Sequence, residues 1–157
     1  MKIFTFLLLL LASIVSACSD GNIIEQDYTI QYGSSFGMCI GDCVQELSVT
    51  KEKAVLKVLK RTGNGQQEDL EVRNSKALSN EEYTAINQLI NVNTIQALPE
   101  VIGCPDCTDG GAAWIEISGN EIQKKVTFEY YQVPEKLKEL VERLRALQEE
   151  LYVEKDD

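Results

Sequence analysis

The chain has no histidine among its 157 residues, and that absence removes several chemistries at once. Ser-His-Asp and Cys-His catalysis need an imidazole to move the proton, and mixed Cys/His zinc sites need one as a ligand. A hydrolase would have to use paired carboxylates or a Ser-Lys arrangement, and no spacing of the acids singles out a pair. Basic residues are scarce: 15 Lys and Arg stand against 25 Asp and Glu, for a formal net charge of −10. Such a surface repels phosphate backbones, and no basic cluster interrupts it, so nucleic-acid binding is not expected. A strand–helix–strand unit with a phosphate-type glycine loop is missing too, which leaves nucleotide binding without support. Long apolar runs are absent except at the N-terminus.

That one run, Ile3 to Ala17, follows a single basic residue, Lys2, and closes on the small residues Val15-Ser16-Ala17 before Cys18. A charged start, an apolar middle and small residues at the end make a secretory signal. The run is too short for a membrane span, which needs ~20 apolar residues. Val15-Ser16-Ala17-Cys18 resembles the lipobox of bacterial lipoproteins, whose cysteine is acylated on sulfur while the signal is cleaved before it. The resemblance implies a cleaved signal over residues 1–17, a lipidated N-terminus and short tether over 18–27, and a single domain over 28–157. Ser19 resembles the sorting residue that permits transfer to the outer membrane, which favours the outer over the inner membrane. Membrane contact is expected from the lipid on Cys18, since removing Lys2 leaves the domain more acidic still.

Hydrophobic patterning in the remaining chain predicts an α+β fold. Tyr28 to Tyr32, Gln45 to Thr50, and Leu70 with Val72 alternate as strands. Lys53 to Arg61 fits either period, but the Gly63-Asn64-Gly65 turn after it favours a hairpin. Ser79-Asn80-Glu81-Glu82 is a capping box that opens a helix, with Leu78 and Tyr83 placed as a hydrophobic staple. This helix is expected to end near Asn91–Asn93. Ala113, Ile115 and Ile117 alternate up to Gly119-Asn120, and Ile122, Val126, Phe128 and Tyr130 return, as a hairpin. Pro134 opens a last helix whose apolar stripe is Leu137, Leu140, Val141, Leu144, Leu147 and Leu151. The expected architecture is an antiparallel sheet of about five to six hairpin-connected strands with two helices packed on one face.

Five cysteines are an awkward set until Cys18 is assigned to lipid, which leaves Cys39, Cys43, Cys104 and Cys107 in two close pairs. An exported chain meets oxidising conditions, so structural disulfides are expected. Three connectivities are possible, and the sequence does not choose among them. Two rival readings follow from the same residues. Four thiolates could hold a structural zinc, although oxidation competes with metal loading. Cys104-Pro105-Asp106-Cys107 resembles the active site of thioredoxin-like oxidoreductases, but it runs into Thr108-Asp109-Gly110-Gly111 and a strand instead of a helix.

More broadly, the lipobox together with Phe36-Gly37-Met38-Cys39-Ile40-Gly41-Asp42-Cys43 and Gly103-Cys104-Pro105-Asp106-Cys107 resembles small bacterial lipoproteins carrying a domain of unknown function. That resemblance supplies no catalytic residue. The expected role is a lipid-anchored, non-catalytic binding or structural module of the cell envelope, with no catalytic, cofactor or metal site assigned. Its partners would be the membrane, through Cys18, and an envelope protein or ligand. A thiol–disulfide oxidoreductase using Cys104 and Cys107 is the first alternative, and a metal-binding envelope lipoprotein the second.

Overall fold

A computed structural model describes residues 26–64, 66, 69–119 and 122–152; the expected signal, Cys18 and Ser19 lie outside these residues. Seven strands form one sheet in the order β4-β3-β2-β1-β6-β7-β5. They are β1 (Thr29–Ser35), β2 (Gly41–Val49), β3 (Lys53–Arg61), β4 (Glu71–Ala77), β5 (Val101–Ile102), β6 (Ala112–Gly119) and β7 (Ile122–Glu129). The first four make an antiparallel meander, and the β6–β7 hairpin adds to it through β1.

The α+β class and the alternation hold. Ile30 and Tyr32 on β1 face the same side as Leu47, Leu56, Ile115 and Val126 on the neighbouring strands, and all are buried. The residues between them stay partly or fully exposed, apart from Gly33, so the helices cover one side only. Three helices do so: α1 (Asn80–Asn87), α2 (Val92–Gln96) and α3 (Lys138–Leu151). The capping box is present, with the Ser79 hydroxyl accepting from the Glu82 N–H at 3.2 Å and the Glu82 carboxylate from the Ser79 N–H at 2.8 Å. After a single 3-10 turn (Glu135–Leu137), α3 buries Leu140, Val141, Leu144, Leu147 and Leu151. That stripe, with Leu137, joins the same core as the strands, which accounts for a helix packed on the sheet.

Three details differ from expectation. The sheet has seven strands and is mixed, because Val101–Ile102 runs parallel to β7 at its outer edge. A pair of residues is too short to show alternation, so its pairing has no local signature. The helix expected to reach Asn91–Asn93 stops at Asn87, and a second helix starts where the Asn91 side chain accepts from the Thr94 N–H at 3.0 Å. The first helix ends with Gln88 as its C-cap, and the Asn91 cap begins the second.

Both edges are irregular. β5 is two residues long, and the β3–β4 register shifts between Leu56 and Lys57. On the side away from the helices, Trp114 lies across Gly33: a Cβ there would meet Trp114 Cζ2 at 2.1 Å. The Lys125 ammonium sits 4.9 Å from the indole centroid.

Candidate functional site

The loops between β1 and β2 (residues 36–40) and between β5 and β6 (103–111) come out at the same end of the sheet. Register requires it, since β1 ends and β2 and β6 begin there. Each close pair of cysteines is bridged internally, the first joining its loop to the start of β2. Cys39 pairs with Cys43 and Cys104 with Cys107, with Cα–Cα separations of 5.5 Å in both. Of the three connectivities, this is the local one. With their sulfurs paired, the four cysteines do not form a four-thiolate zinc site, and no cluster of three or more candidate metal ligands occurs among the described residues.

The two loops are joined to one another. The Gly37 N–H donates to Asp106 Oδ1 at 3.3 Å, and the Phe36 ring fills the space where a Cβ on Gly111 would be, at 2.4 Å. Phe36 also packs edge-on against Tyr130, with centroids 4.9 Å apart, and the Tyr130 N–H donates to the Gly111 carbonyl at 3.2 Å. Arg61, from the end of β3, holds the first loop by donating to the Phe36 and Gly37 carbonyls at 3.1 and 2.9 Å. Behind them Arg145 of α3 stacks 4.7 Å from the Tyr130 centroid and donates to the Tyr130 carbonyl and the Tyr32 hydroxyl at 2.6 and 2.7 Å. Burial raises the Tyr32 pKa above its ordinary value, against the opposing pull of the Arg145 bond.

The Cys104–Cys107 loop is built largely in the left-handed region. Gly103 and Gly111 have φ of 73° and 77°, and Asp106, Thr108 and Asp109 have φ of 61°, 54° and 58°. Glycine takes such angles without cost, but a β-branched threonine there is an outlier. The Cys104 N–H donates to Glu129 Oε1 at 2.9 Å. Beside this loop is a pocket of about 250 Å³ lined by Cys104, Cys107, Thr108, Glu129, Tyr131 and Gln132, among others. The Cys-x-x-Cys stretch is followed by a 3-10 turn (Cys107–Asp109) and then β6, so it does not stand at the start of an α-helix as in a thioredoxin-type site.

Large apolar side chains crown this end of the sheet: Met38 is 82 % exposed, Ile40 78 % and Tyr131 78 %. Asp106, Asp109 and Glu129 lie among the same loops. The sequence pointed to the cysteines and glycines of this site but not to Arg61, Glu129, Tyr130 or Tyr131, which reach it from other elements. Arg61 and Tyr130 fall within strand patterns, but no local pattern assigns any of the four to this site.

The opposite end of the sheet receives the chain. There Tyr28 is held by Tyr83 of α1, Asn87 donates to the Gln26 carbonyl at 2.8 Å, and Lys51 pairs with Asp27 at 3.0 Å. A third cluster holds the end of α3. Asp42 Oδ2 accepts from Arg73 and from the Tyr152 hydroxyl, each at 2.6 Å, and the bond to Asp42 raises the Tyr152 pKa.

No protein-family model matches the sequence, and no curated protein matches it.

Proposed function

We propose that this chain is a lipid-anchored lipoprotein of the bacterial cell envelope, acylated on Cys18 after removal of residues 1–17. Its domain serves as a non-catalytic binding module that offers the two cystine loops to an envelope partner. The anchor rests on the Val15-Ser16-Ala17-Cys18 motif, and Ser19 favours the outer membrane.

One observation supports the binding role above others. The chain joins the sheet at one end, at Gln26–Tyr28, and the exposed Met38, Ile40 and Tyr131 stand at the other. A seven-residue strand separates these ends by roughly 23 Å at ~3.3 Å per residue. A domain tethered through its N-terminus therefore carries its apolar tips away from the lipid. Apolar tips ringed by Asp106, Asp109 and Glu129 suit a protein surface that combines an apolar patch with cationic side chains.

Two measurements test this. Intact mass with and without alkylation reports acylation of Cys18, and detergent partition reports the anchor. Recovery in the aqueous phase with Cys18 unmodified overturns it. A photo-crosslinking side chain at Met38 or Tyr131 should capture a partner in intact cells, and Ile40→Asp should abolish that capture. Equal capture from Lys51, at the tether end, overturns the assignment of the surface.

A further inference from the structure

We infer that the Cys104–Cys107 bridge is a thiol–disulfide exchange site, accepting two electrons from an external dithiol, while Cys39–Cys43 is a structural bridge. The two cystines differ in three respects, and each points the same way.

Access is the first. Cys104 and Cys107 are both exposed and line the pocket beside Tyr131 and Gln132. Cys43 is only 1 % exposed and Cys39 is half-buried. Exchange requires a thiolate to reach a disulfide sulfur, so the second bridge, with both cysteines exposed, is the more open to attack.

Backbone conformation is the second. Around Cys39–Cys43 the one residue with positive φ is Gly41, at 97°, where no side chain resists it. Around Cys104–Cys107, three residues that are not glycine hold left-handed angles, including the β-branched Thr108. Such residues persist where the surroundings over-determine them. Here the constraints include the bridge itself, the Asp106 N–H bond to the Gly111 carbonyl at 3.2 Å, the Cys107 N–H bond to the Cys104 carbonyl at 3.1 Å, the Gly110 N–H bond to the Cys107 carbonyl at 3.2 Å and the Asp106–Gly37 bond. Opening the bridge removes one of them and lets the loop relax, which favours the dithiol form.

Charge is the third, and it selects the reductant. Asp106 and Asp109 lie in the loop, Glu129 accepts from the Cys104 N–H, and residues 103–111 contain no lysine or arginine. Arg61 is committed to the carbonyls of the neighbouring loop. The site therefore discriminates against anionic thiols in favour of neutral or cationic ones. With no lysine or arginine in the loop itself, the drive is assigned to relaxation of its backbone.

The step balances without a further reactant. One thiolate of the dithiol attacks a sulfur of the bridge, the S–S bond breaks, and the released cysteine thiolate takes a proton from water. The second thiol of the partner, deprotonated, then attacks the mixed disulfide. Cys104 and Cys107 end as two thiols, and the partner leaves as a disulfide.

The inference shares the Cys104–Cys107 loop and Tyr131 with the proposed partner surface but stands apart from the anchor, and its test, on the purified protein with small thiols, involves neither Cys18 chemistry nor partner capture. The full chain, purified oxidised in detergent, is exposed to graded dithiothreitol, quenched at successive times and at equilibrium, and alkylated. Peptide masses then report each bridge separately. The Cys104–Cys107 pair should open about tenfold or more faster than Cys39–Cys43 while circular dichroism is unchanged. Thr108→Gly should make that bridge harder to reduce, by about five- to thirtyfold in the equilibrium ratio, the usual cost of a left-handed L-residue. Cysteamine should outpace glutathione, and Asp106→Asn with Asp109→Asn should narrow the gap. Simultaneous opening of both bridges, opening only on unfolding, or an unchanged ratio in Thr108→Gly overturns the inference.

Discussion

The Tyr83 hydroxyl lies 2.7 Å from the backbone nitrogen of Tyr28 and 2.9 Å from its carbonyl oxygen, so one side chain of α1 satisfies both main-chain groups of one residue. The hydroxyl also reaches Asn87 Oδ1 at 3.2 Å, and Asn87 in turn binds the Gln26 carbonyl. All of this is at the end where the chain joins the sheet. Tyr83→Phe keeps the ring in the core but strands the Tyr28 groups. A buried polar group left without a partner costs about 1–3 kcal/mol, and urea unfolding followed by fluorescence should show a loss of that size. An unchanged midpoint would mean that water replaces the hydroxyl without penalty.

Trp114 is the only tryptophan, and Gly33 makes room for it. Gly33→Ala puts a methyl 2.1 Å from the present position of Cζ2, so the ring must leave its place and its contact with Lys125. Overpacking of this kind costs about 1–3 kcal/mol. The expected signature is a shift of the emission maximum together with a lower unfolding midpoint. Emission identical to the parent protein would show that the strand can bend away instead.

The capping box gives an acid dependence with a definite sign. The Ser79 backbone N–H, and after it the Lys76 ammonium, hold the Glu82 carboxyl below its ordinary value of 4.5. A depressed pKa in the folded state stabilises fully above the unfolded value and is lost as pH falls through the folded one. Stability should therefore decline from about pH 4.5 downward. Glu82→Gln should flatten that part of the profile, as read by thermal unfolding at successive pH values. Ser79→Ala, which removes the other half of the box, should cost about 1 kcal/mol at neutral pH.

Tyr32 gives the opposite dependence. Burial raises its pKa above 10.0 in the folded protein, so the neutral hydroxyl contributes stability fully below the unfolded value and loses it as pH climbs through the folded one. Tyr32→Phe should remove this part of the alkaline decline while weakening the protein at neutral pH through the lost Arg145 bond. Unfolding midpoints above pH 10 compared with those at pH 7 provide the check. A steeper alkaline decline in the variant would contradict it.

Both bridges close short loops, with sequence separations of 4 and 3 residues. In the chain-entropy model each is worth only about 2 kcal/mol, near the low end for disulfides. Cys39→Ala with Cys43→Ala should cost more than the corresponding pair of changes at Cys104 and Cys107, because Cys43 is buried and leaves a gap. Equal losses in chemical denaturation would show that burial of Cys43 adds nothing.

What could be read from the sequence was local. The Ser79–Glu82 box, the Leu137–Leu151 stripe, the alternation of Ala113, Ile115 and Ile117 and the proximity of each cysteine pair all depend on residues within a few positions of one another. What could not be read joins distant segments. β1 lies between β2 and β6, Val101–Ile102 pairs with Thr127–Phe128, and Arg145 reaches Tyr32 across 113 positions. The meeting of the two cystine loops is of this kind, since it follows from strand order and not from either motif. The Asn91 cap is an intermediate case: an asparagine preferred at helix starts, placed where the sequence points to the end of the first helix.

The sheet margins bear on crowding. Under the proposed anchoring, molecules held on one surface by their N-termini would meet repeatedly in similar orientations, the arrangement in which exposed strands template one another into ribbons. Here one margin is two residues long, and the other is offset by a bulge and carries Glu71, Arg73 and Lys76. Neither offers a long, flat run of unpaired amides. Both margins thus carry features that oppose edge-to-edge pairing.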